Sequence, residues 1–345
     1  QRIAVPEHEI LPLADVAKTA DGIGLHPELM PLKKLIADHQ AAIINGVGYP
    51  QPNRSHFASM DIWHRGETLS NRGYGWIGKA FDHDRKANPD ANHSMDVISI
   101  GGEAPLAAEG RRAKPIAFER QEFFQWIPGQ RFDPLDETYQ KMINQPVDAA
   151  DNPAAALLHR TALDAQVASD RVRKASKRKL EVEFPNSRLS KQLQLVVNMI
   201  KAELPTRVYY VGMGGFDTHA QQAGRHRYLL KQFAEAVDAF QNELNATGHG
   251  DRVVTFAFSE FGRRLKENAS AGTDHGAAGP CFLFGKPVRS GVLGEYPSLT
   301  DLDRGDLKHT VDFRNLYAAL LGPWMKLDVK ASLGKPYKPA NIVRG

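Results

Sequence analysis

Residues 214–222 read Gly-Gly-Phe-Asp-Thr-His-Ala-Gln-Gln, directly after the apolar run Arg207–Met213 and directly before a long helical pattern. Asp217 and His219 stand two apart, and side chains of extended backbone alternate, so both point the same way. A hard carboxylate beside an imidazole is an ordinary ligand pair for zinc, manganese or iron. The same two residues would also serve as a helix cap and a polar loop position, so the pair alone decides nothing. Two further loops weigh in. Ser259-Glu-Phe-Gly-Arg-Arg264 follows the next apolar run. It offers Glu260, as a ligand or as the partner that orients one, and Arg263, whose planar fork matches an oxyanion. Gly272-Thr-Asp-His-Gly276 adds Asp274 and His275 side by side in a glycine-flanked loop. Three polar loops in chain order, each acidic and two with histidine, suit a metal pair that fixes an attacking and a leaving oxygen.

A fourth piece lies upstream. The run Ala41–Val47 leads through Gly48-Tyr-Pro-Gln-Pro-Asn-Arg-Ser-His-Phe57 into an amphipathic stretch that ends at Gly66. Ser55 sits where a helix N-cap belongs, with Arg54 before it and His56 after it. One role for Ser55 is to cap the helix. The other is a nucleophile at a helix N-terminus, where backbone N–H groups favour a phosphate or sulfate. Ser55, His56 and Arg263 are thus the catalytic candidates, and Asp217, His219, Asp274, His275 and Glu260 the metal candidates.

Elements must hold these loops together. Ala41–Val47, Met95–Ile100, Arg207–Met213, Arg252–Phe258 and Cys281–Phe284 are short apolar runs that end in glycine or polar residues, as core strands do. Helical spacing joins Leu189, Leu193, Val196 and Ile200; then Leu229, Phe233, Val237, Phe240 and Leu244; then Phe313, Leu316, Tyr317, Leu320, Leu321 and Trp324. This alternation predicts one α/β domain over 1–345 with a mostly parallel sheet between helix layers. Ligands then bind beyond the carboxyl ends of its strands, where the polar loops fall. The stretch 101–185 breaks the rhythm and reads as an inserted cap. It holds an aromatic cluster (Phe123, Phe124, Trp126), a helix opened by Asn152 and Pro153, and six basic residues in nine between Arg171 and Lys179. That basic run is expected to be a solvated helix face.

Composition narrows the class. At 345 residues, with 42% apolar and 24% charged residues, the chain has ordinary globular make-up. A net charge of +4 is too small and too spread to imply nucleic acid. The one cysteine, Cys281, excludes an internal disulfide and a cysteine-based zinc site. No apolar run approaches the length of a membrane span.

The loops Arg54-Ser-His-Phe57, Gly215-Phe-Asp-Thr-His219, Ser259-Glu-Phe-Gly-Arg263 and Gly272-Thr-Asp-His-Gly276, with Thr310-Val-Asp-Phe-Arg314, resemble the bacterial family called domain of unknown function 1501. The resemblance runs from about His26-Pro27 to Trp324. It implies the α/β fold of the alkaline phosphatase and sulfatase superfamily, export to the periplasm or beyond, metal ligands at Asp217, His219, Asp274 and His275, and a nucleophile at Ser55. A formylglycine mechanism is not expected, since no cysteine or serine here has the required proline and arginine after it. The reading that follows is an exported metal-dependent hydrolase of phosphate or sulfate esters. Zinc is its first metal, with manganese, magnesium or calcium behind it, and a small anionic ester its substrate. The alternative is a non-catalytic exported protein that keeps the fold and binds a partner or polymer. The family also begins with a strand whose turn carries an Asp, and Gln1-Arg-Ile-Ala-Val-Pro6 resembles the segment just after it. An upstream segment or partner chain is therefore expected to complete the sheet beside the Ala41 or Arg207 strand.

Overall fold

The computed structural model describes residues 2–17, 20, 22–67, 73–119, 141 and 152–344. Strand β1 (Leu11–Pro12) pairs antiparallel with β2 (Gly24–Leu25) ahead of α1 (Met30–Ala37). The Ala-Ala-Ile-Ile run then forms β3 (Ala41–Gly48), every residue of which is buried. After it come α2 (His56–Arg65), α3 (Trp76–Ala87), β4 (Val97–Ile100) and β5 (Ile116–Phe118). Asn152 accepts the Ala155 N–H at 3.0 Å and Pro153 opens α4 (Pro153–Ser176), the expected cap and first helical residue. Helix α5 (Arg188–Lys201) buries Leu189, Leu193, Val196 and Ile200 as one stripe and leads into β6 (Val208–Val211) and the long α6 (Gln222–Ala246). Downstream lie β7 (Thr255–Ala257), β8 (Arg263–Glu267), β9 (Thr273–His275), β10 (Gly279–Phe284), β11 (Gly291–Leu293), β12 (Leu302–Asp303), β13 (Asp306–Leu307) and β14 (Val311–Asp312). Helix α7 (Phe313–Ala319) runs into a π-helical turn containing Pro323, and α8 (Val329–Leu333) follows.

The fold is mixed α/β. Strands β5-β4-β6 form a wholly parallel sheet, and β11-β3-β10-β7, with β14 also on β3, form a mixed one. The expectation of a mostly parallel sheet needs one correction. β10, the Cys281–Phe284 run, lies antiparallel to both β3 and β7. An apolar run shows that both faces are buried; it carries no direction.

Both sheets present one face to the same core. Ala42 and Ile44 of β3, Leu283 of β10, Phe256 of β7, Val208 of β6 and Val97 of β4 all meet the cluster built by α2, α3 and α7. On the opposite face, Ile98, Ile100, Tyr209 and Val211 pack with α4 and α5, whereas Ala41, Ile43, Phe282 and Phe284 pack with α1. Helix α6 underlies both halves, giving Phe240 and Leu244 to one cluster and Ala234 and Val237 to the other. The stretch 101–185 is built into these layers where it is described: β5 extends the parallel sheet, and α4 buries Ala168, Val172 and Ala175 against α5. Phe123, Phe124 and Trp126 lie outside the described residues. Arg171, Lys174, Lys177, Arg178 and Lys179 are exposed at the end of α4 and just past it, the solvated face expected of them. Among the described residues, no helix is long and apolar enough to cross a membrane.

Candidate functional site

The polar loops meet at one end of the strands. Arg54, Ser55 and His56 follow β3, Asp217 and His219 follow β6, and Glu260 follows β7. Asp274 and His275 lie on β9 rather than in a loop, where β9 pairs with β8 so that His275 stands opposite Arg263. Two glycines let these segments close on one another. A Cβ on Gly272 would stand 2.3 Å from the His219 carbonyl carbon, and one on Gly262 would stand 1.8 Å from the Ala278 oxygen. On α2, Trp63 stacks on Phe313 and Phe258, and the Ser59 hydroxyl donates to the Glu260 carbonyl at 2.6 Å. Those contacts fix the helix that begins at His56.

Asp217 is the centre. His56 Nε2 lies 3.0 Å from its Oδ2, while His219 Nε2 and His275 Nε2 lie 3.0 and 2.9 Å from its Oδ1. The last two nitrogens are themselves 2.9 Å apart. Behind each ring an oxygen faces Nδ1: Glu260 Oε1 at 2.6 Å for His56, the Arg54 carbonyl at 2.7 Å for His275, and Asp274 Oδ1 at 3.3 Å for His219. Each ring therefore has an oxygen at both nitrogens, and when its proton sits on Nδ1 the Nε2 lone pair faces Asp217. Three imidazole nitrogens and a carboxylate converge there. Histidines so backed are how proteins present imidazole to metals. Ligands about 2.0–2.2 Å from one zinc stand roughly 3.3–3.6 Å from one another in a tetrahedron, and His56, Asp217 and His275 each offer a ligand atom within 4.8 Å of the other two.

The expected residues thus come together, with roles the sequence left open now distinguished. Asp217, His219 and His275 face inward, and His56 joins them. Glu260 and Asp274 stand behind rings as their acceptors; Ser259 donates to Glu260 at 3.0 Å, and Asn268 donates to Asp274 at 3.2 Å. Arg263 gives Nη1 to Asp217 Oδ1 at 2.7 Å and the rest of its bonded donors to the Thr273 hydroxyl and carbonyl, so it orients the carboxylate. Ser55 does occupy the N-cap position of α2, yet its side chain makes no cap bond; its N–H donates to Asn53 Oδ1 at 2.8 Å instead.

Electrostatics follow from these contacts. Partial burial of Asp217 opposes its charge, but bonds from Arg263, His275 and His56 outweigh that and hold its carboxyl well below the usual carboxylate range. The Glu260 bond raises the pKa of His56 against desolvation, with Asp217 adding to the rise. Asn268, then His219, lower that of Asp274.

Sequence reasoning missed Asp306. It is 3% exposed, paired with Arg54 and, at 3.1 Å, with Arg264. It thereby tethers the residue whose carbonyl fixes His275. The available signal was two arginines, at 54 and 264, in need of a counter-charge.

The fold and site define a mixed α/β protein in which the start of α2, the loop after β6 and strand β9 bring three histidines to one carboxylate. The chain belongs to the family described as Protein of unknown function (DUF1501), whose model matches residues 7–336. No curated protein and no solved structure matches the chain.

Proposed function

We propose that the chain is an exported, metal-dependent hydrolase of phosphate or sulfate esters, with a fold of the alkaline phosphatase and sulfatase kind. The observation that carries this reading is the convergence of three imidazole Nε2 atoms on Asp217, each ring held from behind at Nδ1. His56, Asp217, His219 and His275 would hold a divalent ion. Zinc best matches three imidazoles and one carboxylate, ahead of manganese and of the oxygen-seeking magnesium and calcium. Bound there, the ion supplies Lewis acidity toward an ester oxygen. Glu260 and Asp274 keep the rings in register, and Arg263 holds Asp217 charged and aimed. Ser55, exposed and without a cap bond, is the attacking hydroxyl of this reading, displacing the alcohol from phosphorus or sulfur. Phe57, 88% exposed one residue past His56, offers an apolar surface to the organic part of the ester.

The test begins with metal content of the purified protein by mass spectrometry. A bound stoichiometric metal is expected, lost in a His219→Ala, His275→Ala double variant. Wild-type content in that variant would place the ligands elsewhere. Aryl phosphate, phosphodiester and aryl sulfate are then assayed with each metal. Metal-dependent turnover that disappears in Ser55→Ala supports the reading. Bound metal with no turnover of any ester would make the chain a binding protein.

A further inference from the structure

We infer that the basic end of α4 forms a second binding site, a groove that takes a compact polyanion: a sugar or polyol carrying two or three sulfate or phosphate ester groups. Arg171, Lys174 and Arg178 recur at spacings of three and four residues, so they follow one face of α4 into the turn that ends it. They rim a cavity of about 390 Å³ floored by Ala202, Leu204 and Pro205, from the turn between α5 and β6. All three cations are exposed, and among the described residues none of them meets a carboxylate in an ion pair. Arg173, in the same run, pairs with Asp170.

Helix capping does not use the three. Cations gather at helix C-termini to meet the last carbonyls, and here other side chains do so. Asn198 donates to the Ser176 and Arg178 carbonyls at 3.5 and 3.2 Å. Lys201 donates to the Lys179 carbonyl at 2.6 Å and pairs with Glu243, while Arg252 donates to the Ile200 carbonyl at 2.8 Å. Arg171, Lys174 and Arg178 are left over, and they share one groove. The charge gathered at this end reaches His249. Its pKa is lowered by burial first and then by Arg252, with Lys201 and Arg178 adding and Glu203 opposing.

Shape and lining select the ligand. The volume falls in the range of small-molecule sites, about 300–1,000 Å³. Two guanidinium forks and an ammonium within about two helical turns suit several oxyanions held close together on one body. A bilayer would need protruding apolar side chains, and the apolar residues here form a half-buried floor. Single-stranded nucleic acid would need an aromatic platform, and no aromatic residue lines the groove. A peptide held by its backbone would need a strand edge, which a helix and a turn do not offer. Glu203 is the one carboxylate on the lining and opposes the ligand's charge. The groove lies at the opposite end of β6 from Asp217, since α5 enters β6 beside it and β6 leads away to the site.

The experiment is calorimetric titration of the full chain, without added metal, with a trisulfated disaccharide, an inositol trisphosphate, and inorganic sulfate and phosphate. One organic polyanion is expected to bind below about 100 μM, and the inorganic anions at least about 30-fold more weakly. Tighter binding of the disaccharide identifies a sulfated glycan as the source, and tighter binding of the inositol ester a phosphorylated polyol. Replacing Arg171, Lys174 and Arg178 together by Gln should weaken binding at least about 30-fold, and Glu203→Gln should strengthen it about threefold. Lys191→Gln, Lys330→Gln and Lys338→Gln together remove the same charge from exposed positions elsewhere and should change it less than about twofold. Equal loss in the two triple variants would overturn the proposal, because net charge would then be the cause. Binding that survives loss of the three rim cations would belong to the Asp217 site and overturn it too. So would failure of both organic esters, whether or not anionic vesicles or an oligonucleotide bind through the same three residues. No readout uses metal or turnover, so the result is separate from that of the hydrolase reading.

Discussion

Asp217 and Asp306 divide the same two stretches of chain between them. From β8, Arg263 reaches Asp217 and Arg264 reaches Asp306; at the start of α2, His56 reaches Asp217, and from the turn before it Arg54 reaches Asp306. Arg263 and Arg264 are neighbours on one strand and so face opposite ways, while Arg54 and His56 part where extended backbone gives way to α2, so one pair of segments builds two poles. The poles differ in kind. Asp306 is 3% exposed and closed, its two oxygens each matched to a guanidinium. Asp217 is 42% exposed and over-subscribed, facing one guanidinium and three imidazole nitrogens. A buried carboxylate with matched donors is architecture. An open one ringed by imidazole nitrogens has room for a ligand, which the proposed metal would fill.

The sharpest way to break the comparison is to neutralise each pole in turn. Asp217→Asn is expected to lower metal affinity and ester turnover by at least about 100-fold, with Tm little changed because the side chain is half in water. Mass spectrometry of bound metal and a thermal melt check both halves. Asp306→Asn should do the reverse, costing about 2–3 kcal/mol in a urea titration. That is less than the 3–5 kcal/mol of a fully buried pair, since Arg54 and Arg264 both reach solvent. Equal metal loss in the two variants, with equal stability, would erase the distinction between the poles.

The sequence made one pole legible and hid the other for physical reasons. Asp217, His219, Asp274 and His275 stand out because carboxylates and imidazoles at strand ends have few structural uses together. Their division of labour was not legible. Whether Glu260 binds an ion or backs His56 depends on which ring nitrogen faces it, and residue type holds no such information. The strands were readable as apolar runs, as was the stripe of α5. The reversed direction of β10 was not, because period and burial are the same for a strand run either way. Asp306 was invisible for a similar reason: Gly305-Asp-Leu307 looks like any polar turn until Arg54 and Arg264 arrive from elsewhere.

A third carboxylate tests whether closure, rather than proximity to the site, sets the architectural class. Glu243 is fully buried on α6; it bonds Lys201 at 2.6 Å and accepts the N–H groups of Glu181 and Val182 at 2.8 and 2.9 Å. Burial raises its pKa, but Lys201 and the two backbone donors outweigh that and hold it below the ordinary value. A folded-state pKa below the unfolded one means stability present above about pH 4.5 and lost as pH falls through the folded value. Glu243→Gln should therefore lower stability by about 2 kcal/mol at pH 7, with the two curves converging toward pH 3 in acid denaturation followed by circular dichroism. Parallel curves down to pH 3 would show that the pair contributes packing alone.

The smallest expected effect falls on the residue that serves neither pole. Arg54 turns to Asp306 and His56 to Asp217, while Phe57 stands 88% exposed at the start of α2. Its ring contributes little to folding, so Phe57→Ala should leave stability within about 0.5 kcal/mol of wild type. If the ring receives the organic part of an ester, the loss appears in binding: a rise in KM of about 3–10-fold for an aryl ester with kcat unchanged, and no change for inorganic phosphate as competitor. That split matters more than the size. A fall in kcat with KM constant would tie Phe57 to the placement of His56 and so to the Asp217 pole. Unchanged kinetics on aryl and alkyl esters alike would leave the ring outside the substrate's reach, and the site would then grip its ligand through the anion alone.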